Sequence, residues 1–149
     1  MQMQAEPIIE ALEQQVECYR RLARLSEAQH EHVQQSQMEQ LLEVLQSRQQ
    51  VLDELRRLEG IVGPARRAWS QFIIELSGEQ RLHADAMLAE TRTLLEQITA
   101  ADRNDALVLQ QRKLNLGRQI NQATAARQVN RTYAASAYGP AGSRMDMQR

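Results

Sequence analysis

The chain is 149 residues long, carries a net charge of −1 at neutral pH and contains only 3% aromatic residues. That length fits one domain, the scarcity of rings leaves little for a base-stacking platform or an aromatic-lined cofactor pocket, and the single cysteine excludes an internal disulfide or a multi-cysteine metal site. With 21 Gln, 19 Ala, 18 Leu, 17 Arg and 14 Glu against 7 Val, 7 Ile and 5 Thr, the composition is that of long helices and not of a sheet.

The opening stretch Met1–Ile9 has neither the basic segment nor the apolar run of a secretory signal, and the apolar run Ala106–Leu109 is far too short to span a bilayer. A cytoplasmic address is the expectation, with no membrane insertion. A first helix is predicted from about Pro7 to about Gln34, because Ile8, Leu12, Val16, Tyr19, Ala23, Ser26, His30 and Val33 recur at steps of three and four, widened by Leu22 and Leu25. A second runs from about Gln37 to about Glu59 on Leu41, Leu45, Arg48, Leu52 and Leu55, flanked by Leu42, Val51 and Leu58. Ser36 to Glu39 has the form of a capping box at its start. Gly60 is placed to stop it in a left-handed C-cap, and Gly63-Pro64 to open a short helix to about Leu76 carrying Trp69, Phe72 and Ile73. Ser77 and Gln80 form a second capping box.

The fourth segment starts near Glu79 and reaches the late 120s or beyond. It repeats every seven residues through Leu88, Leu95, Asp102, Leu109, Leu116 and Ala123, with a second row of Thr91, Ile98, Asp105, Arg112, Gln119 and Ala126. Two carboxylates on an apolar seam are expensive, so Asp102 and Asp105 predict a break, a bend or a solvent-facing stretch. Gly117 weakens the distal half. Past Val129 the stripe ends, and the last ten or so residues are expected to be disordered in isolation. The fold class is therefore all-α: an elongated antiparallel helical hairpin or bundle of three to four helices with a long C-terminal helix and a mobile tail. Residues 1–128 make the helical domain and residues 129–149 the flexible tail.

Charge is unevenly divided. Residues 1–105 hold 11 basic and 18 acidic groups, whereas residues 106–149 hold 7 basic and 1 acidic. The basic residues are spaced and not clustered, so a solvated helix face is favoured over a nucleic-acid or membrane arm. Glu27 and His30 form a Glu-x-x-His step, but a di-iron bundle needs two such steps and further carboxylates, so no metal is expected. His32 points away from His30. Cys18 reads as a helix-surface thiol, not a nucleophile. No phosphate loop or catalytic motif is present, so neither catalytic residues nor a cofactor are expected and the chain reads as a non-enzyme. Arg48 either snorkels past the seam or partners a buried carboxylate, Asp102 or Asp105. Trp69 and Phe72 either plug one end of the bundle or offer a hot spot. Tyr133 and Tyr138, in a segment without a core, are either incidental or contacts made on a partner.

The stretch His32–Leu55, with its short turn, the stripe Leu41, Leu42 and Leu45, the pair Arg48-Gln49 and the second stripe Leu52 and Leu55, resembles the helical hairpin of FlgN-type flagellar export chaperones. FliT-type chaperones are a neighbouring possibility. The resemblance implies a cytoplasmic chaperone of flagellar type III export, whose partners are hook-associated proteins of the hook–filament junction and the flagellar export gate. It implies client binding along Leu107, Val108, Leu109, Leu114, Leu116, Ile120, Ala123 and Ala126, and gate docking by Tyr133 or Tyr138. The same apolar face could instead build a homodimer, making the protein a coiled-coil scaffold.

Overall fold

The computed structural model describes residues 4–137, and these are helical with no strand among them. Four helices follow in order: α1 (Ala5–Gln34), α2 (Met38–Arg67), α3 (Trp69–Ile74) and α4 (Gly78–Ala137). The chain divides into two compact units between Val108 and Leu109. The first holds α1 to α3 and α4 up to Val108; the second holds the rest of α4. The boundary expected at 128/129 falls inside α4. The behaviour expected of the last ten residues lies outside the described residues.

In the first unit α1 and α2 form an antiparallel hairpin, since Gln15 bonds Glu59 while Gln29 bonds Arg48. Helix α4 runs parallel to α1, as the pairs His83–Glu13, Arg20–Glu90 and His30–Asp105 record. The core joins Ile8, Leu12, Val16 and Leu22 to Val51, Leu55, Leu58 and Val62, and to Ala84, Met87 and Ile98 of α4. Phe72 of α3 is buried in it. Trp69 packs against it, its ring centroid 5.3 Å from that of Phe72, so this pair closes one end of the bundle.

Several local expectations are corrected. Helix α2 does not stop at Gly60 but continues through Gly63 and Pro64 to Arg67. The gain is burial of Val62 and Ala65, which a stop at Gly60 would leave wet. The cost is reduced by the two glycines. Pro64 frees the carbonyl of Gly60, but Gly60 is exposed, so water can serve that oxygen. Gly63 has no Cβ to clash with the proline ring, the contact that usually drives a pre-proline residue out of helix. The break falls at Ala68 instead (φ −118°, ψ 43°), and the short helix begins only at Trp69.

The α1–α2 turn does not use Ser36 as a helix N-cap either; the residue preceding α2 is Gln37, and it makes no side-chain cap. Ser36 is left-handed at φ 56°. Its N–H donates to the carbonyl of Val33 (3.3 Å) and that of Gln37 to His32 (2.9 Å), the two bonds of a Schellman cap closing α1. His32 is turned to the same cap, with Nδ1 2.7 Å from Gln37 Oε1. The second capping box forms as its sequence implies. The Gln80 N–H donates to Ser77 Oγ at 3.1 Å, and the Ser77 N–H donates to Gln80 Oε1 at 3.0 Å.

The buried rows are also turned relative to expectation. On α2 the core positions are Leu41, Val44, Val51, Leu55, Leu58, Val62 and Ala65, while Leu42, Leu45 and Leu52 are exposed. On α4 the second predicted row supplies Ile98 and Asp105, with Leu95 of the first row left in water. Cys18 is not on the surface: it is buried against the hairpin core, and burial pushes its thiol pKa up.

Candidate functional site

Three helices of the first unit converge on a layer of polar side chains. It arises because Ser26, Gln29 and His30 on α1, Arg48 on α2, and Asp102 and Asp105 on α4 occupy inward positions at one level of the bundle. Arg48 grips Asp102 with both ends of its fork, Nη1 to Oδ1 at 2.9 Å and Nη2 to Oδ2 at 2.8 Å. The same Nη1 donates to Gln29 Oε1 at 3.0 Å, and Gln29 Nε2 donates to Asp105 Oδ2 at 3.0 Å. On the other side of Asp105, His30 Nδ1–H donates to Oδ1 at 2.7 Å. A carboxylate offers only lone pairs, which assigns that proton to Nδ1. Ser26 Oγ adds a longer bond to Asp102 at 3.4 Å.

This layer decides two open readings. Arg48 is the partner of a carboxylate, Asp102, and does not snorkel out; its side chain is only 14% exposed. Helix α4 is continuous through both acids, with Asp105 only 1% exposed and the Asp102 side chain partly exposed at 36%. The expected break fails because every buried polar side-chain atom among the described residues finds a partner. Gln29 was the residue that sequence reasoning missed. It relays between Arg48 and Asp105, and its position three residues after Ser26 was the available signal. The Glu27–His30 step gathers no metal ligands; His30 faces Asp105, and the described residues contain no cluster of three or more His, Cys, Asp or Glu able to hold an ion.

A second polar group lies nearer the closed end. Buried Gln15 donates to Glu59 Oε2 at 3.2 Å, and Arg66 bridges Glu59 (2.6 Å) and Gln15 Oε1 (3.3 Å). On the surface, Arg20 holds Glu90 by two bonds of 2.6 and 2.9 Å, and this guanidinium keeps the Glu90 carboxyl below its usual pKa.

The residues proposed for client binding are placed as follows. Leu107 is exposed and Val108 half-buried, both in the first unit. In the second unit Leu109, Leu114, Leu116 and Ile120 are exposed, as are Ala123 and Ala126. They do not make one stripe. Leu109, Leu116 and Ala123 follow each other at seven-residue steps with Ile120 beside them, and Ala126 sits at the edge of that row. Leu114 is two residues from Leu116, about 200° around the helix and so on the opposite side. Residues 109–137 contain Arg112, Lys113, Arg118, Arg127 and Arg131 and no acid. Tyr133 is 73% exposed on α4; Tyr138 lies outside the described residues.

No known family model matches the chain, and none of the curated proteins or solved structures compared with it matches either. Among the described residues no helix is long and apolar enough to cross a membrane.

Proposed function

We propose that the chain is a cytoplasmic export chaperone of the FlgN type, a binding protein and not an enzyme. In this reading it holds amphipathic helical segments of hook–filament junction proteins before assembly and delivers them to the flagellar export gate. The observation that carries the reading is the second unit's row of Leu109, Leu116 and Ile120. These large apolar side chains stand in water on a stretch of α4, residues 109–137, that holds no acidic residue. Such a row is the receiving half of helix-to-helix recognition, in which a client buries its own apolar face and becomes ordered. The hairpin that resembles the family packs against the first-unit part of α4 through Ala84, Met87 and Ile98.

The test is calorimetry and circular dichroism of the full chain titrated with the terminal segments of its host's junction proteins. One-to-one binding with a rise in helicity, lost in a Leu116→Asp/Ile120→Asp variant, is expected. Absence of binding to every segment, together with a stable homodimer that the same variant disperses, would replace the chaperone with the scaffold reading.

A further inference from the structure

The first unit has a surface groove of about 600 Å³, walled by Tyr19 of α1, Arg66 of α2 and the face of α4 between Leu88 and Arg103. Its floor explains why the first heptad row of α4 fails to enter the core. Leu88 and Leu95 line this groove, Leu95 at 40% exposure, and the short side chains Thr91, Thr99 and Ala100 between and beyond them leave the space open. From Leu88 to Arg103 the wall is about four helical turns, or roughly 23 Å, long enough to seat a helix and too open to enclose a small molecule.

Charge narrows the occupant. Arg92 and Arg103 lie eleven residues apart, three turns of α4 and therefore on one side of it. Among the described residues neither makes an ion pair. Arg66 is already paired with Glu59, so the groove presents two cations without an ion pair, Arg92 and Arg103, against one acid, Glu96, within a stretch of chain that holds 18 acidic and 11 basic groups. The groove is thus a basic strip on an acidic unit. The chain's own residues 109–137, basic and without an acid, have the wrong sign to occupy it.

We propose that this groove docks an amphipathic helix from another protein, one that sets two apolar residues at seven-residue spacing on Leu88 and Leu95 and runs an acidic border along Arg92 and Arg103. The docked helix completes a four-helix arrangement in which each Arg meets a carboxylate at the rim and the leucines lose their water. The inference does not depend on the export-chaperone reading. It concerns the first unit, whereas the client row lies in the second, and either can fail alone.

The experiment uses the full chain and two synthetic helices of about 18 residues with leucines at seven-residue spacing, one bordered by Glu and the other by Lys. The Glu-bordered helix is expected to bind one to one, more weakly as salt rises, and about tenfold more weakly to Arg92→Glu/Arg103→Glu or to Leu95→Asp. The charge-reversed variant should in turn take up the Lys-bordered helix, an exchange that general stickiness would not produce. The titrations are repeated on a chain carrying Leu116→Asp and Ile120→Asp, which removes the second unit's apolar row as a competing site, and the dependence on Leu95, Arg92 and Arg103 should remain. Thermal unfolding checks that each variant stays folded. Equal binding of both helices to the unaltered chain, or indifference to Leu95→Asp, would overturn the proposal. So would sedimentation showing self-association that Leu95→Asp abolishes, because a second copy would then be the occupant.

Discussion

At one end of the first unit, Ile8, Leu12, Leu58, Val62 and Phe72 fill the space between helices with hydrocarbon; at the other, Gln29, Arg48, Asp102 and Asp105 fill it with charge and amide. The contrast separates what holds the bundle together from what sets its register. Apolar contact is non-directional and grows with the area removed from water. A slide of α4 by seven residues turns the helix by only about 20°, so the same face stays inward and apolar contact opposes the slide only through the fit of Ala84, Met87 and Ile98. The polar layer does not allow that slide. A slip of one heptad would put Leu95 or Leu109 against Arg48 and leave a guanidinium and two carboxylates without partners, a loss far larger than any gain in packing.

Two substitutions break this comparison from opposite ends. Phe72→Ala should have the largest effect, about 3–5 kcal/mol of stability by chemical denaturation, because it opens a cavity where α3 closes the bundle. Asp105→Ala should cost less, about 1–3 kcal/mol, by stranding Gln29 Nε2 and leaving His30 without its acceptor. Replacing the facing pair together, Gln29→Leu with Asp105→Leu, should recover part of that loss, since apolar groups of similar size need no partners. Cross-linking between engineered cysteines on α1 and α4 would then detect more than one register in the double variant. If that variant kept a single register, the polar layer would be dispensable for specificity and the contrast between the two ends would fall.

Helix-rich composition and three-and-four spacing were enough to reveal the all-α fold, the hairpin and the long final helix, because each rests on a period repeated many times. Local punctuation was less legible. Gly60 and Gly63-Pro64 have the chemistry of a helix stop, but Val62 and Ala65 bury so completely that tertiary packing overrides it. Leu45 and Leu52 match a heptad as well as Val44 and Val51 do, and only the neighbouring helices decide which pair turns inward. The polar layer was half legible. Arg48 and the two aspartates stood out as charges on seams, whereas Gln29 is one glutamine among 21 and acquires its role only from its partners in space. The groove along Leu88 and Leu95 was hidden by the assumption that a leucine heptad faces a core.

Smaller effects sharpen the account of each end. Gly60→Ala tests the continuity of α2 beside the closed end. A Cβ there meets nothing within 4 Å. Alanine should therefore stabilise the protein by up to about 1 kcal/mol, as expected inside a helix. Were Gly60 a left-handed cap, the same change would destabilise by about 1–2 kcal/mol, so the sign of the shift in denaturation midpoint is decisive. Ser36→Gly does the corresponding test beyond the polar layer. Glycine relieves the positive φ of the Schellman cap, offset in part by a more flexible unfolded chain, and should stabilise by roughly 0.5 kcal/mol.

The smallest expected effect compares the two Arg–carboxylate pairs that join α4 to the hairpin. Arg20–Glu90 lies on the exposed surface, whereas the guanidinium of Arg48 is shielded within the polar layer. Because Arg20 depresses the Glu90 pKa below its ordinary 4.5, the pair contributes above that value, and its contribution is lost as pH falls through the lowered one. The stability difference between the natural chain and Arg20→Met should accordingly be level near neutrality, shrink on acidification and shrink again in high salt, where exposed charges are screened. Arg48→Met removes a shielded partner of Asp102, so its cost should persist in the same salt. Equal salt sensitivity of the two variants would mean that the polar layer is as well hydrated as the surface, and that its hold on register comes from geometry alone and not from exclusion of water.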